Sequence, residues 1–283
     1  MAITNFIPTV WSETLYRELE KEYIGVKNCS REFEGDIKNM GDTVRILGVN
    51  PISVFNYTKN TDIETLTEVS DNSRTLTIDK AKAFNFIIDD IALAQAAPNL
   101  MQEAMRVAAS ALSNEADKYV YSLYTGVLNS NTIKASDFKS SDVLDFLLTV
   151  QEKMLDRNVP GNEEIILEVS PAVASKILKA KILTGTSNEQ SLDKGCIGSF
   201  LGFKIYVSTN VQKSNENNVP YYQCYARTKR AIAFAEQINE VEAYRPEKRF
   251  ADAVKGLHLY GAKIIYPSEL LLLSISVGEE TAE

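Results

Sequence analysis

The chain has 283 residues, 45% of them hydrophobic and 24% charged, with a net charge of −8. These are values of an ordinary soluble protein long enough for a substantial core, as one elongated domain or two compact ones. The acidic balance argues against a surface that grips nucleic acid by neutralising phosphates. Cys29, Cys196 and Cys224 are scattered, which suits a reducing compartment and gives no metal signature. Met1 to Val10 hold no basic stretch followed by an apolar run, so no secretory signal is read there. The apolar cluster Leu270 to Leu273 with Ile275 and Val277 is far too short to span a membrane, and the expectation is a soluble intracellular chain.

In chain order, Trp11, Leu15, Leu19 and Tyr23 recur at four-residue steps and are closed by Gly25. They predict a short amphipathic helix in an otherwise polar arm, with Thr9 or Ser12 as N-cap. Two alternating stretches follow, with Val44 and Ile46 in the first and Leu76 and Ile78 in the second. They predict a long two-stranded ribbon whose polar tip runs from Lys59 to Ser73. A ribbon alone is marginal in water, so its apolar face needs cover from this chain or from another molecule. The projecting polar tip favours a neighbouring copy.

Pro98 to Gly126 predicts one long helix, with Met101, Met105, Ala108, Leu112, Ala116, Tyr119 and Leu123 along one face. Asp117 falls outside that stripe, and Gly126 is placed for a left-handed cap. At roughly 1.5 Å per residue the rod is on the order of 40 Å long and needs something long to lie against. Short alternating elements follow. Val143, Leu147, Val150 and Met154 mark the inner face of a helix, Glu164 to Val169 a buried strand, and Ser170-Pro171 the start of another helix. Phe203, Ile205 and Val207 alternate in a strand, and Val211 to Pro220 reads as a polar loop. Tyr221 to Ala226 and Ile232 to Glu236 read as strands of the same compact α/β unit. Val241 onward is strand after strand, supplying a long sheet for the helix.

Catalytic constellations are hard to assemble from these residues. The single histidine, His258, alternates with Leu257 and Leu259 and reads as a cross-strand or surface residue, half exposed. One histidine cannot make a multi-histidine metal site, and no G-x-S-x-G elbow accompanies it. Gly195, Gly198 and Gly202 have neither dinucleotide nor phosphate-loop spacing and read as a turn. Asp89 and Asp90 lack a third ligand, and Lys229-Arg230 and Lys248-Arg249 lack interleaved aromatics. No catalytic, cofactor-binding or metal-binding residue is assigned, and no cofactor.

The order of parts resembles the major capsid proteins of tailed bacteriophages, the Hong Kong 97-type fold shared with encapsulin shells. The stretch RAIAFAEQINEVEAYRPEKRFADAVKGLHLYGAKIIYPSELLLL carries the likeness best, with FIPTVWSETL as the start of an arm and FLGFKIYVSTNV as an axial strand. The resemblance implies an α+β fold with an N-terminal arm over 1–40 and an extended β-ribbon loop over 41–80. It implies a peripheral domain over 81–130 and 242–277, with the spine helix and long sheet, and an α/β axial domain over 131–241. An acidic tail, 278–283, closes the chain. It further implies self-assembly into hexamers and pentamers of an icosahedral shell around phage double-stranded DNA, contacted only weakly. Assembly is expected in the host cytoplasm, with no membrane partner. A portal is an implied partner, as is a separate scaffolding protein, because no long scaffolding segment precedes the arm. Subunit-interface candidates are Trp11, Leu15, Leu19, Val44, Ile46, Leu76 and Ile78. An encapsulin-type compartment is the near alternative. An α/β enzyme with an unrecognised carboxylate site is the alternative of another class.

Overall fold

The computed structural model describes residues 23–33, 41–49, 59, 71–89, 100–157, 159, 163–180, 196–248 and 250–279. Strands β1 (Thr43–Val49) and β2 (Asp71–Thr77) form an antiparallel ribbon running from Thr43 opposite Thr77 to Val49 opposite Asp71. Strand β3 (Lys80–Asp89) then joins a second sheet, and helix α1 (Leu100–Ser122) follows. After α1 come β4 (Thr132–Phe138), α2 (Val143–Leu155), β5 (Ile165–Val169) and α3 (Pro171–Lys179). The chain continues through β6 (Cys196–Phe200), β7 (Phe203–Val207), β8 (Lys213–Glu216) and β9 (Val219–Thr228). It ends with the long strands β10 (Ile232–Tyr244) and β11 (Ala251–Ile264), then β12 (Leu270–Val277).

Two larger sheets carry the fold. The long one has the order β10-β11-β3, and the seven-stranded one β4-β12-β9-β5-β7-β6, with β8 paired to β9. Two assignments made from the sequence change here. Ile232 to Glu236 opens β10 of the long sheet, while Leu270 to Val277 leaves that sheet and pairs with β4 and β9. An almost wholly apolar β12 is what a strand covered on both faces requires. Residues 211–220 are not a loop: β8 and β9 form a hairpin turned at Asn217 and Asn218, both at positive φ. Asparagine tolerates that conformation better than most residues, so the pair is a hairpin turn.

Helix α1 is 23 residues, about 34 Å, and buries Met105, Ala109, Leu112, Ala116 and Val120. It lies along the long sheet, where Lys82 of β3 pairs with Glu115 at 3.0 Å and the rings of Tyr119 and Tyr260 meet edge to face at 5.5 Å. Its last turn also reaches the seven-stranded sheet. Tyr121 stacks on Tyr225, whose hydroxyl donates to the Tyr121 carbonyl at 3.0 Å. Gly126 ends in a 3-10 turn rather than a left-handed cap. The inner face read for α2 is the buried one, and the Ser170 hydroxyl caps α3 by accepting from Val173 N–H.

The ribbon base corrects an expectation. Ile46, Leu76 and Ile78 are buried against Ala233, Ala235, Leu259 and Ile265 of the same chain, with Val44 and Phe33 at the margin. These side chains are not left waiting for a neighbour. Gly261 is the physical reason: a Cβ there would sit 2.3 Å from the Thr77 carbonyl oxygen. Only a glycine lets the end of β2 rest directly on β11.

Candidate assembly surfaces

Trp11, Leu15 and Leu19 lie outside the described residues. Tyr23, the last member of their stripe, is buried within its own chain, and residues 23–33 form a hook threaded between helix and sheets. Its anchors are polar. The Asp117 carboxylate of α1 accepts from the N–H groups of Ile24 and Val26, both at 3.0 Å. Burial pushes that carboxyl up to about 6, against the pull of those backbone bonds. Arg227 of β9 donates to the carbonyls of Gly25 and Asn28, and Asn28 donates to Glu168 of β5. Ser30 bridges to β10, giving its N–H to the Ile232 carbonyl and accepting from Phe234 N–H.

A second anchor lies at Glu236 of β10. The Tyr23 hydroxyl donates to Glu236 Oε2 at 2.5 Å, Arg31 pairs with Oε1, and His258 Nε2 lies 2.9 Å from Oε2. His258 is therefore not a surface residue but 0% exposed. Burial, and secondarily the Arg31 charge, pull its pKa down to about 4. A neutral ring beside a carboxylate oxygen carries its proton on Nε2, and Nδ1 is left buried without a hydrogen-bond partner.

Sequence reasoning missed this network, yet a signal was present. Glu168 stands in the apolar run IILEVS and Arg227 in CYART, and a charge inside a buried strand demands a partner. Asp117 gave no such signal, because a helix edge normally carries carboxylates.

Exposed large apolar side chains are spread over the described residues, and two places stand out among them. Helix α2 buries one stripe and presents Leu144, Leu148 and Leu155 on another side. Phe250, at the turn between β10 and β11, is 85% exposed. Among the described residues, no group of three or more His, Cys, Asp or Glu is placed to hold a metal, and no helix is long and apolar enough to cross a membrane. Asp117, Glu168, Arg227, Glu236 and His258 serve the hook, whereas Glu269 accepts from Thr228 and Arg230 and Lys176 donates to the Gly278 carbonyl.

The fold is similar to that of solved phage capsid structures. A structure from Mycobacterium phage Che8 superposes with a TM-score of 0.68 at 25% identity, covering 89% of this chain and 90% of that one. The capsid structure of the cyanophage P-SCSP1u gives 0.67 at 14% identity, covering 85% of each chain. A virus-like particle from Pyrococcus furiosus gives 0.60 at 12% identity, over 96% of this chain and all of that one. No family model matches the chain, and no curated protein does.

Proposed function

We propose that this chain is a major capsid protein, a structural subunit of the Hong Kong 97 type that self-assembles into an icosahedral shell around phage double-stranded DNA. What carries the reading is the likeness to a phage capsid structure over 85% of each chain. In this reading α1 with β3, β10 and β11 makes the peripheral domain. The seven-stranded sheet with α2 and α3 makes the axial domain. Residues 1–40 are the arm, 41–80 the extended loop and 278–283 the acidic tail. The subunit is non-enzymatic and resides in the virion, after assembly with a scaffolding protein and portal in the host cytoplasm. A net charge of −8 suits a container that holds DNA without gripping it. The Pyrococcus particle favours an encapsulin-type compartment as the second reading.

The ribbon supplies the test. Its base is part of the subunit core, so the stretch beyond Val49 and Asp71 is the part assigned to contact with a neighbour. Because Val49 faces Asp71 in register, residues 50–70 can be replaced by Asn-Gly, a two-residue hairpin turn. The shortened protein is expected to fold with an unchanged melting temperature and to form no shells. Normal assembly of the shortened chain would remove the ribbon from the interface.

A further inference from the structure

We propose that Phe250 is a knob that seats in a shallow groove on the β3–β11 face of a second copy of this chain. The inference rests on the shell reading, which supplies the second copy, and names one contact within it. Phe250 is the most exposed of the large hydrophobic side chains among the described residues. It stands where β10 and β11, strands of 13 and 14 residues, turn into one another. An aromatic ring at the end of such a hairpin gains nothing from its own chain.

The groove has a volume of about 390 Å³ and is lined by Ala83, Asn85, Glu242, Lys255 and Leu257. The register sets Ala83 opposite Leu257, and Asn85 and Glu242 opposite Lys255, so all five belong to one face of the long sheet. Phe84 turns its ring to the other face, over Gly256, where a Cβ would come within 2.4 Å of it. The groove floor is therefore strand backbone, with only small or extended side chains around it. Further along the same face Ala233, Ala235 and Leu259 are covered by the ribbon base, and the groove is where that cover stops.

A chain cannot fill its own groove. Phe250 is five to seven residues from Lys255 and Leu257 along one strand, which is roughly 17–24 Å. Both surfaces carry charges of both signs, so each can meet the other's on a second copy. Arg245, Glu247 and Lys248 flank the knob, and the groove rim carries the half-exposed ion pair of Glu242 with Lys255, 2.7 Å apart. A knob and a distant pocket on the same molecule make a heterologous contact, which closes into rings or propagates from copy to copy. A shell is built from contacts of this kind.

The test is disulfide trapping in the full-length chain carrying Cys196→Ser, with Ala83→Cys and Phe250→Cys together and each alone. In assembled particles, mild oxidation of the double variant is expected to give a ladder of linked subunits on a non-reducing gel, and the single variants none. Phe250→Ser is expected to lower particle yield about tenfold or more at limiting subunit concentration, with the subunit melting temperature unchanged. Particles without a ladder, or wild-type yield from Phe250→Ser, would overturn this contact while leaving the shell intact. Failure of the unaltered chain to form any particle, both with and without a co-expressed scaffolding protein, would refute the shell reading itself, and with it the occupant assigned here.

Discussion

Arg227 and Glu168 face each other across β9 and β5 as a bidentate pair, with Nε to Oε2 and Nη2 to Oε1 both 3.0 Å and both side chains 0% exposed. The remaining guanidinium donors reach the Asn28 and Gly25 carbonyls, so the pair is the socket into which the hook at 23–33 fits. Removing either partner leaves an uncompensated buried charge. Arg227→Met or Glu168→Leu alone is expected to destabilise the subunit by about 3–5 kcal/mol, and the double replacement by clearly less than the sum. Denaturant unfolding of the three variants checks this. Strict additivity would show that the two side chains act separately.

The hook also depends on Asp117. Asparagine keeps one acceptor oxygen but turns an amide NH₂ toward the second backbone N–H. Asp117→Asn should therefore cost about 1–3 kcal/mol. Amide exchange at Ile24 and Val26 should quicken, while exchange in β5 and β9 stays slow. Equal acceleration throughout would mean that the hook is not a separate unit.

Asp117 and His258 give pH slopes of opposite sign. His258 has its folded pKa lowered from 6.5 to about 4, so the unfolded chain binds the extra proton between those values. Its contribution is full above pH 6.5 and is lost as pH falls toward 4, on the order of 3 kcal/mol. Asp117 is raised from 3.8 to about 6, so its folded form holds the proton longer and stability falls as pH rises through that window. His258→Gln, which cannot titrate, should flatten the acid side of the stability curve, and Asp117→Asn should steepen it. Because His258 is buried, the glutamine should also cost stability at pH 7, unlike a surface exchange. A His258→Gln curve parallel to wild type would contradict the assignment.

Gly261→Ala tests the ribbon base. The added methyl meets the Thr77 carbonyl at 2.3 Å, a backbone atom that cannot rotate away. The expected cost is about 1–3 kcal/mol. It should appear as a lower thermal midpoint of the isolated subunit, with the β1–β2 amides exchanging first. An unchanged midpoint would mean that the ribbon does not rest on β11.

What could be read in advance was local. The α2 stripe of Val143, Leu147, Val150 and Met154 and the Ser170-Pro171 cap depend on neighbours within four residues, and both stand as read. Strand partnership is not local. Nothing in Ile232 to Glu236 or Leu270 to Val277 says which sheet will receive it, and each went to the other one. His258 alternates like a half-buried strand residue, but its surroundings are set by Tyr23 and Arg31, more than two hundred positions away along the chain. The ribbon face was rightly read as needing cover, and the covering side chains proved to be the chain's own.

Electron microscopy of the purified chain, expressed with and without a co-expressed scaffolding protein, tests the central claim most directly. The account predicts closed icosahedral shells of uniform size in at least one preparation, their walls built of hexamers and pentamers that fit this fold. A chain that stays folded and monomeric in both preparations, at concentrations well above those at which shells assemble, would contradict it.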